Sequence, residues 1–239
     1  MQIEITKDVV TKLLGVVDAG LSSGMGDPVP GHMCVEAAVC YALGLPHGDD
    51  PKCVDPVLRS LKILLNDSNW SSRAERAKGL RRLAVIQLGS KGALDQREFA
   101  MKLADLACRT SVPIALRAAA SIHKDPTHKA ALLEAANRCE ASPNREAAEN
   151  AKKAARSAYA YAAAYADVYA SAYAAAYAAA YASADAYAAA YAAAAAYAAA
   201  YADASDKILS DFAEGVVQIL ITMNVPGVQW LELTEAVAA

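Results

Sequence analysis

Between residues 154 and 204 the chain places 32 alanines and 11 tyrosines in 51 residues, with no glycine and no proline. Alanine loses no side-chain freedom in a helix and tyrosine tolerates one, so this stretch is predicted to be helical. Unbroken, it would reach roughly 75 Å at about 1.5 Å per residue. A compact domain of this length has a radius of gyration near ~18 Å. Two outcomes stay open: one long helix paired in a dimer, or two to three helices folding back at Ser183-Ala184-Asp185. Tyr161, Tyr165, Tyr169, Tyr173, Tyr177 and Tyr181 step by four, and the gaps Tyr181–Tyr187 and Tyr191–Tyr197 swing the stripe back. That is not the 3.5-residue period of a coiled coil. Asp167, Asp185 and Asp203 recur every 18 residues, five whole turns, and would share one polar line on a continuous helix. Close Ala–Ala approach with tyrosine rings as knobs is the expected packing. Because alanine buries little area, a homo-oligomer, most simply a dimer, is expected to form through this region.

Elsewhere helical periodicity dominates and no alternating segment predicts a strand. Thr6 can cap a helix with Val9, Val10, Leu13, Leu14, Val17 and Leu21 on one face. Gly24 to Gly31, with three Gly and two Pro, must be a loop. Met33–Leu43 reads as a buried helix, Pro56 as the first-turn residue of another, and Ser72-Arg-Ala-Glu75 as a capping box opening a helix to Leu88. Further helices are expected near 95–109, 113–122 and 127–140, and after Ser205, as cap, a stripe of Ile208, Leu209, Phe212, Val216, Leu220 and Met223 ends at Pro226-Gly227. Trp230, Leu231 and Leu233 read as a tail docked on the core. The fold class is therefore all-α: a multi-helix bundle over 1–140, and an Ala/Tyr-rich region with a C-terminal helix over 141–239 packed with it as one unit.

Charge is divided unevenly along the chain. Residues 1–156 carry 22 Lys/Arg and 18 Asp/Glu, whereas residues 157–239 carry one Lys and eight acids. The acidic C-terminal part repels phosphate backbones, which argues against nucleic acid as a partner. Asp and Ser throughout the alanine stretch argue against a membrane span, and no basic start followed by an apolar run predicts a signal peptide. Five cysteines, an odd number at irregular spacing, suit a reducing cytoplasm.

Four residues stand out as candidate ligand contacts: Glu36, Tyr41, Arg76 and Arg117. Glu36 and Arg117 each interrupt an apolar run, and a buried charge needs a partner, so each is a candidate for the other. Arg76 projects between Leu80 and Leu83, one turn from a helix N-terminus, where free amides and a guanidinium can hold an anion; an ion pair with a neighbouring acid is the alternative. Tyr41 could stack a base. Lys78 and Arg82 project to solvent. Cys34 sits near a helix start beside His32, as a hydrolase nucleophile would, but no strand is predicted to present a partner His; a buried structural thiol is expected. His32, Cys34, His47 and Cys53 lack the repeated pair of a zinc site, and no metal or cofactor is expected.

Cys34, Glu36-Ala37, Gly44, Asp49, Pro51, Cys53, Pro56, Leu58, Asn66 and Asp67 together form a pattern that resembles a module of bacterial and bacteriophage proteins of unknown function. The Ala-rich region resembles immunity-protein-like domains, all-helical proteins with long alanine repeats. The resemblance implies an all-helical fold and a phage or bacterial setting, and it supplies no catalytic residue. Combined with the arginines and the aromatic-rich helices, it leads to an expected function: a non-enzymatic, phage-encoded protein that captures an anionic, nucleotide-derived small molecule against host defence. The alternatives are an immunity or adaptor protein binding another protein, and a cysteine-dependent hydrolase.

Overall fold

A computed structural model describes residues 4–164 and 205–235. Nine α-helices and one 3-10 helix make up the described architecture, with no strand among the described residues. The fold is all-α, as the periodicity predicts. The helices are α1 (Lys7–Asp18), α2 (Val35–Ala42), α3 (Pro56–Asp67), α4 (Arg73–Ile86), α5 (Gln96–Arg109), α6 (Ser111–Ile122), α7 (Pro126–Ala141), α8 (Arg145–Ala164) and α9 (Ser205–Thr222), followed by a 3-10 helix at Pro226–Thr234. None of the described helices is long and apolar enough to cross a membrane. Whether 165–204 is one helix or several, and whether it pairs two subunits, lies outside the described residues, as does any capping by the Ser205 side chain.

The caps predicted at Thr6 and Ser72 form, and Asp55 supplies another ahead of Pro56. Thr6 accepts the Val9 amide at 3.4 Å, Asp55 accepts Val57 ahead of Pro56, and Ser72 accepts Glu75 at 3.1 Å. Each satisfies an amide that the first helical turn leaves without an internal partner.

Two compact units emerge: Met1–Phe99 with Ser205–Ala239, and Ala100–Ala204. The sequence division at 140/141 falls inside the second, at the last residue of α7, and separates that helix from α8, on which it packs. In the first unit α4 is the hub, packing against α1, α2, α9 and the 3-10 helix. Gly79 of α4 makes this possible, since a β-carbon there would stand 2.3 Å from the Trp70 ring and 2.7 Å from Ser210 Oγ. In the second unit α6, α7 and α8 join over a core made largely of small side chains, among them Ala115, Ala119, Ala136, Ala148, Ala151 and Ala155. Small residues let the helix axes approach and give up buried area per residue in return.

Candidate functional site

The loop between α1 and α2 turns back on itself. Gly26 and Gly31 have φ of 68° and 84°, and Gly26 pairs with Met33 in an isolated bridge. A side chain at Gly26 would collide with the His32 carbonyl. The loop is tied to the helices from several directions: Asp67 Oδ1 accepts the Gly24 amide at 2.7 Å, His47 Nε2 lies 2.9 Å from the Gly26 carbonyl, and Ser22 Oγ donates to the His32 carbonyl at 3.0 Å.

Under this loop Asn66 acts as a keystone. Its Oδ1 accepts the Val35 amide at 3.2 Å, satisfying the first turn of α2, and its Nδ2 donates to the Ser22 carbonyl at 2.9 Å and to Asp67 Oδ1 at 2.8 Å. Its own carbonyl accepts Arg76 Nε at 2.7 Å. A cavity of about 30 Å³ opens here, with Cys34, Glu36, Asp49, Asn66 and Asp67 as its polar lining and Ile63 among its apolar walls. All five of these polar residues belong to the pattern that carries the family resemblance. Three distant segments thus converge through contacts that no local spacing reveals.

Glu36 lies in the first turn of α2 with no solvent exposure. Its Oε1 stands 3.2 Å from Lys62 Nζ of α3, also fully buried, in an ion pair whose alignment falls short of a hydrogen bond. Its Oε2 meets no donor among the described residues. Burial pushes the Glu36 carboxyl above, and the Lys62 ammonium below, their ordinary values, each opposed by the attraction of the other. Lys62 is not among the residues that the sequence analysis singles out, although its spacing puts it on the apolar face of α3 with Leu58, Leu61 and Leu65.

The other expected contacts find different surroundings. Glu36 and Arg117 are not each other's partners: each is paired within its own unit, Arg117 bidentately with Glu140 at 2.6 and 2.8 Å. Nor is Arg117 buried; its side chain is 38% exposed, because Glu140 and Asn137 of α7 draw it to the surface. Arg76 is buried, but its Nε and Nη1 hold the carbonyls of Asn66 and, at 2.9 Å, Leu21, so it has neither an anion nor an acid as a hydrogen-bond partner. Its burial holds the guanidinium below its ordinary value, with nearby Asp67 opposing. Of the first-turn amides of α4, expected to hold an external anion with Arg76, that of Glu75 is taken by Ser72 Oγ, and just ahead of the helix the Asp206 carboxylate accepts the Ser71 amide at 2.8 Å and its hydroxyl. Tyr41 is half-buried, with Lys12 Nζ 4.7 Å from its ring centroid. Arg82, expected in solvent, is half-buried and bonds Glu214 of α9.

Cys34 is the N-cap of α2. Its sulfur accepts the Ala37 amide at 3.3 Å, and burial pushes its thiol up despite that bond. All five cysteines are free and buried, and Cys40 is pushed up to about 11 by burial. Among the described residues no group of three or more His, Cys, Asp or Glu is placed to hold a metal ion. No protein-family model, characterised protein or solved structure matches the chain.

Proposed function

We propose that the chain is a non-catalytic binding protein whose small-molecule ligand enters the cavity between α2, α3 and the α1–α2 loop. The observation that carries this reading is the convergence of five polar residues from separate segments on one cavity, with a buried carboxylate oxygen of Glu36 that meets no donor among the described residues. Such a group costs free energy unless something completes it. The walls are held by Asn66, Arg76 and Asp67, which preorganises the site, and Cys34 serves as a helix cap with a protonated thiol.

The anionic, nucleotide-derived ligand finds less support, because Arg76 and Arg117 are committed to internal acceptors and the cavity carries three carboxylates. The role against host defence rests on the family resemblance. The protein-binding alternative draws on a different observation: Met25 and Val29 stand about half exposed on a loop fixed by hydrogen bonds.

Mass spectrometry of compounds released on denaturing the purified protein tests the proposal. A small molecule released from the wild type, and lost from an Ile63→Trp variant that fills the cavity, is the expected result. Release of nothing from the wild type would remove the small-molecule reading.

A further inference from the structure

The lining of the cavity is one-sided in its hydrogen-bonding chemistry. Glu36, Asp49 and Asp67 contribute carboxylates. Both N–H groups of the Asn66 amide are already given to Ser22 and Asp67. The nearby cations are engaged as well: Lys62, outside the lining, faces Glu36 Oε1 at 3.2 Å without a formed hydrogen bond, Arg59 is bonded to the carbonyl and carboxylate of Asp49 at 2.5 and 2.7 Å, and Arg76 to two main-chain carbonyls. The lining therefore holds an excess of acceptors, and the buried Oε2 of Glu36, one of its residues, meets no donor among the described residues. What completes it must donate.

Size narrows the choice. A water needs about 10–15 Å³ measured in this way, so about 30 Å³ admits roughly two non-hydrogen atoms. Val35 and Ile63 supply apolar wall, which suits a carbon rather than a second polar atom. Two ordered waters would satisfy the acceptors but add no positive charge to a lining that holds three carboxylates.

Resting on the small-molecule reading above, we propose that the cavity takes the protonated amino group of a small primary alkylamine, with its N–H groups toward Glu36 and the neighbouring aspartates and its first carbon against Ile63. The contact is reversible binding and no bond is made.

The test is an NMR titration of the full-length, nitrogen-15-labelled protein with methylammonium chloride, alongside tetramethylammonium chloride, which has no N–H, and sodium acetate. Methylammonium is expected to shift the amides of Gly24, Val35, Glu36 and Asp67 saturably, and tetramethylammonium and acetate are expected to leave them in place. In Asp49→Asn, which keeps an acceptor for Arg59, affinity is expected to fall about tenfold, the weight of one charge-assisted contact. Ile63→Trp is expected to abolish the shifts while the rest of the spectrum stays folded. Equal responses to the three salts, or none to methylammonium, would overturn the amine assignment. The released-compound experiment then separates the two claims. A compound without an amino group, lost in Ile63→Trp, leaves the cavity a binding site for another class, whereas no compound removes both.

Discussion

Oε1 of Glu36 and Nζ of Lys62 stand 3.2 Å apart, and neither side chain reaches solvent. Taking two charges out of water costs several kcal/mol per ion after relaxation, which their attraction only partly offsets. The single variants Lys62→Met and Glu36→Met are each expected to lose about 3–5 kcal/mol, because each leaves one buried charge unpaired. The double variant Glu36→Met/Lys62→Met should be within about 1 kcal/mol of the wild type, or above it. Urea unfolding of the four proteins checks this, and additive single effects would refute the coupling.

The same pair makes stability depend on pH. Burial raises the carboxyl of Glu36, so the folded state holds that proton more tightly than the unfolded chain does. The stability this gives is complete below the ordinary carboxylate range and is lost as pH rises through it towards the raised value. Lys62 behaves in the mirrored sense: its ammonium is lowered, so its contribution is complete above the ordinary ammonium range and is lost as pH falls towards the lowered value. Measured against the double variant, the wild type should fare worst near pH ~7 and improve towards both about pH 4 and about pH 10. A difference independent of pH would contradict this.

Arg76 and Arg117 should separate cleanly in stability. Arg76→Ala removes two buried charge-assisted bonds, to Asn66 and Leu21, and is expected to cost about 3 kcal/mol. Arg117→Ala removes an exposed pair and is expected to cost about 1 kcal/mol or less. Thermal denaturation of the two variants reads the difference.

At the head of α2, Cys34→Ser should keep the cap and Cys34→Ala should lose it, at about 1 kcal/mol. The serine variant should therefore be the more stable of the two in chemical denaturation. The reverse order would mean that the sulfur contributes by packing alone.

Gly26→Ala should be far more damaging than Gly44→Ala. Both positions have φ of 68°, but a β-carbon at Gly26 would stand 1.8 Å from the His32 carbonyl, whereas at Gly44 nothing lies within 4 Å. Gly44→Ala carries only the backbone cost, about 1 kcal/mol. Gly26→Ala must break the bridge to Met33, and loss of the loop's amide protection in hydrogen exchange would show it.

What the sequence revealed was local. Thr6, Pro56 and the Ser72–Glu75 pair act within four residues of themselves, so their helices could be read directly. The site depends on contacts across the chain, such as Asn66 to Val35 and Ser22, for which spacing carries no signal. Its apolar run marks Glu36 as a buried charge, but its partner is Lys62 and not Arg117, in a helix that also carries Arg59, Ser60 and Asp67. Arg76 lies on the apolar side of α4, as its spacing predicts, yet that side faces main-chain carbonyls, which composition cannot disclose.

The first unit is discontinuous: α4 precedes residues 100–204 and its helical neighbour α9 follows them. During synthesis, then, the α4 surface around Gly79 and Trp70 must wait uncovered on the ribosome until the whole intervening segment has emerged. An early stop anywhere before Ser205 would leave that surface without α9 and the α4 hub unfinished.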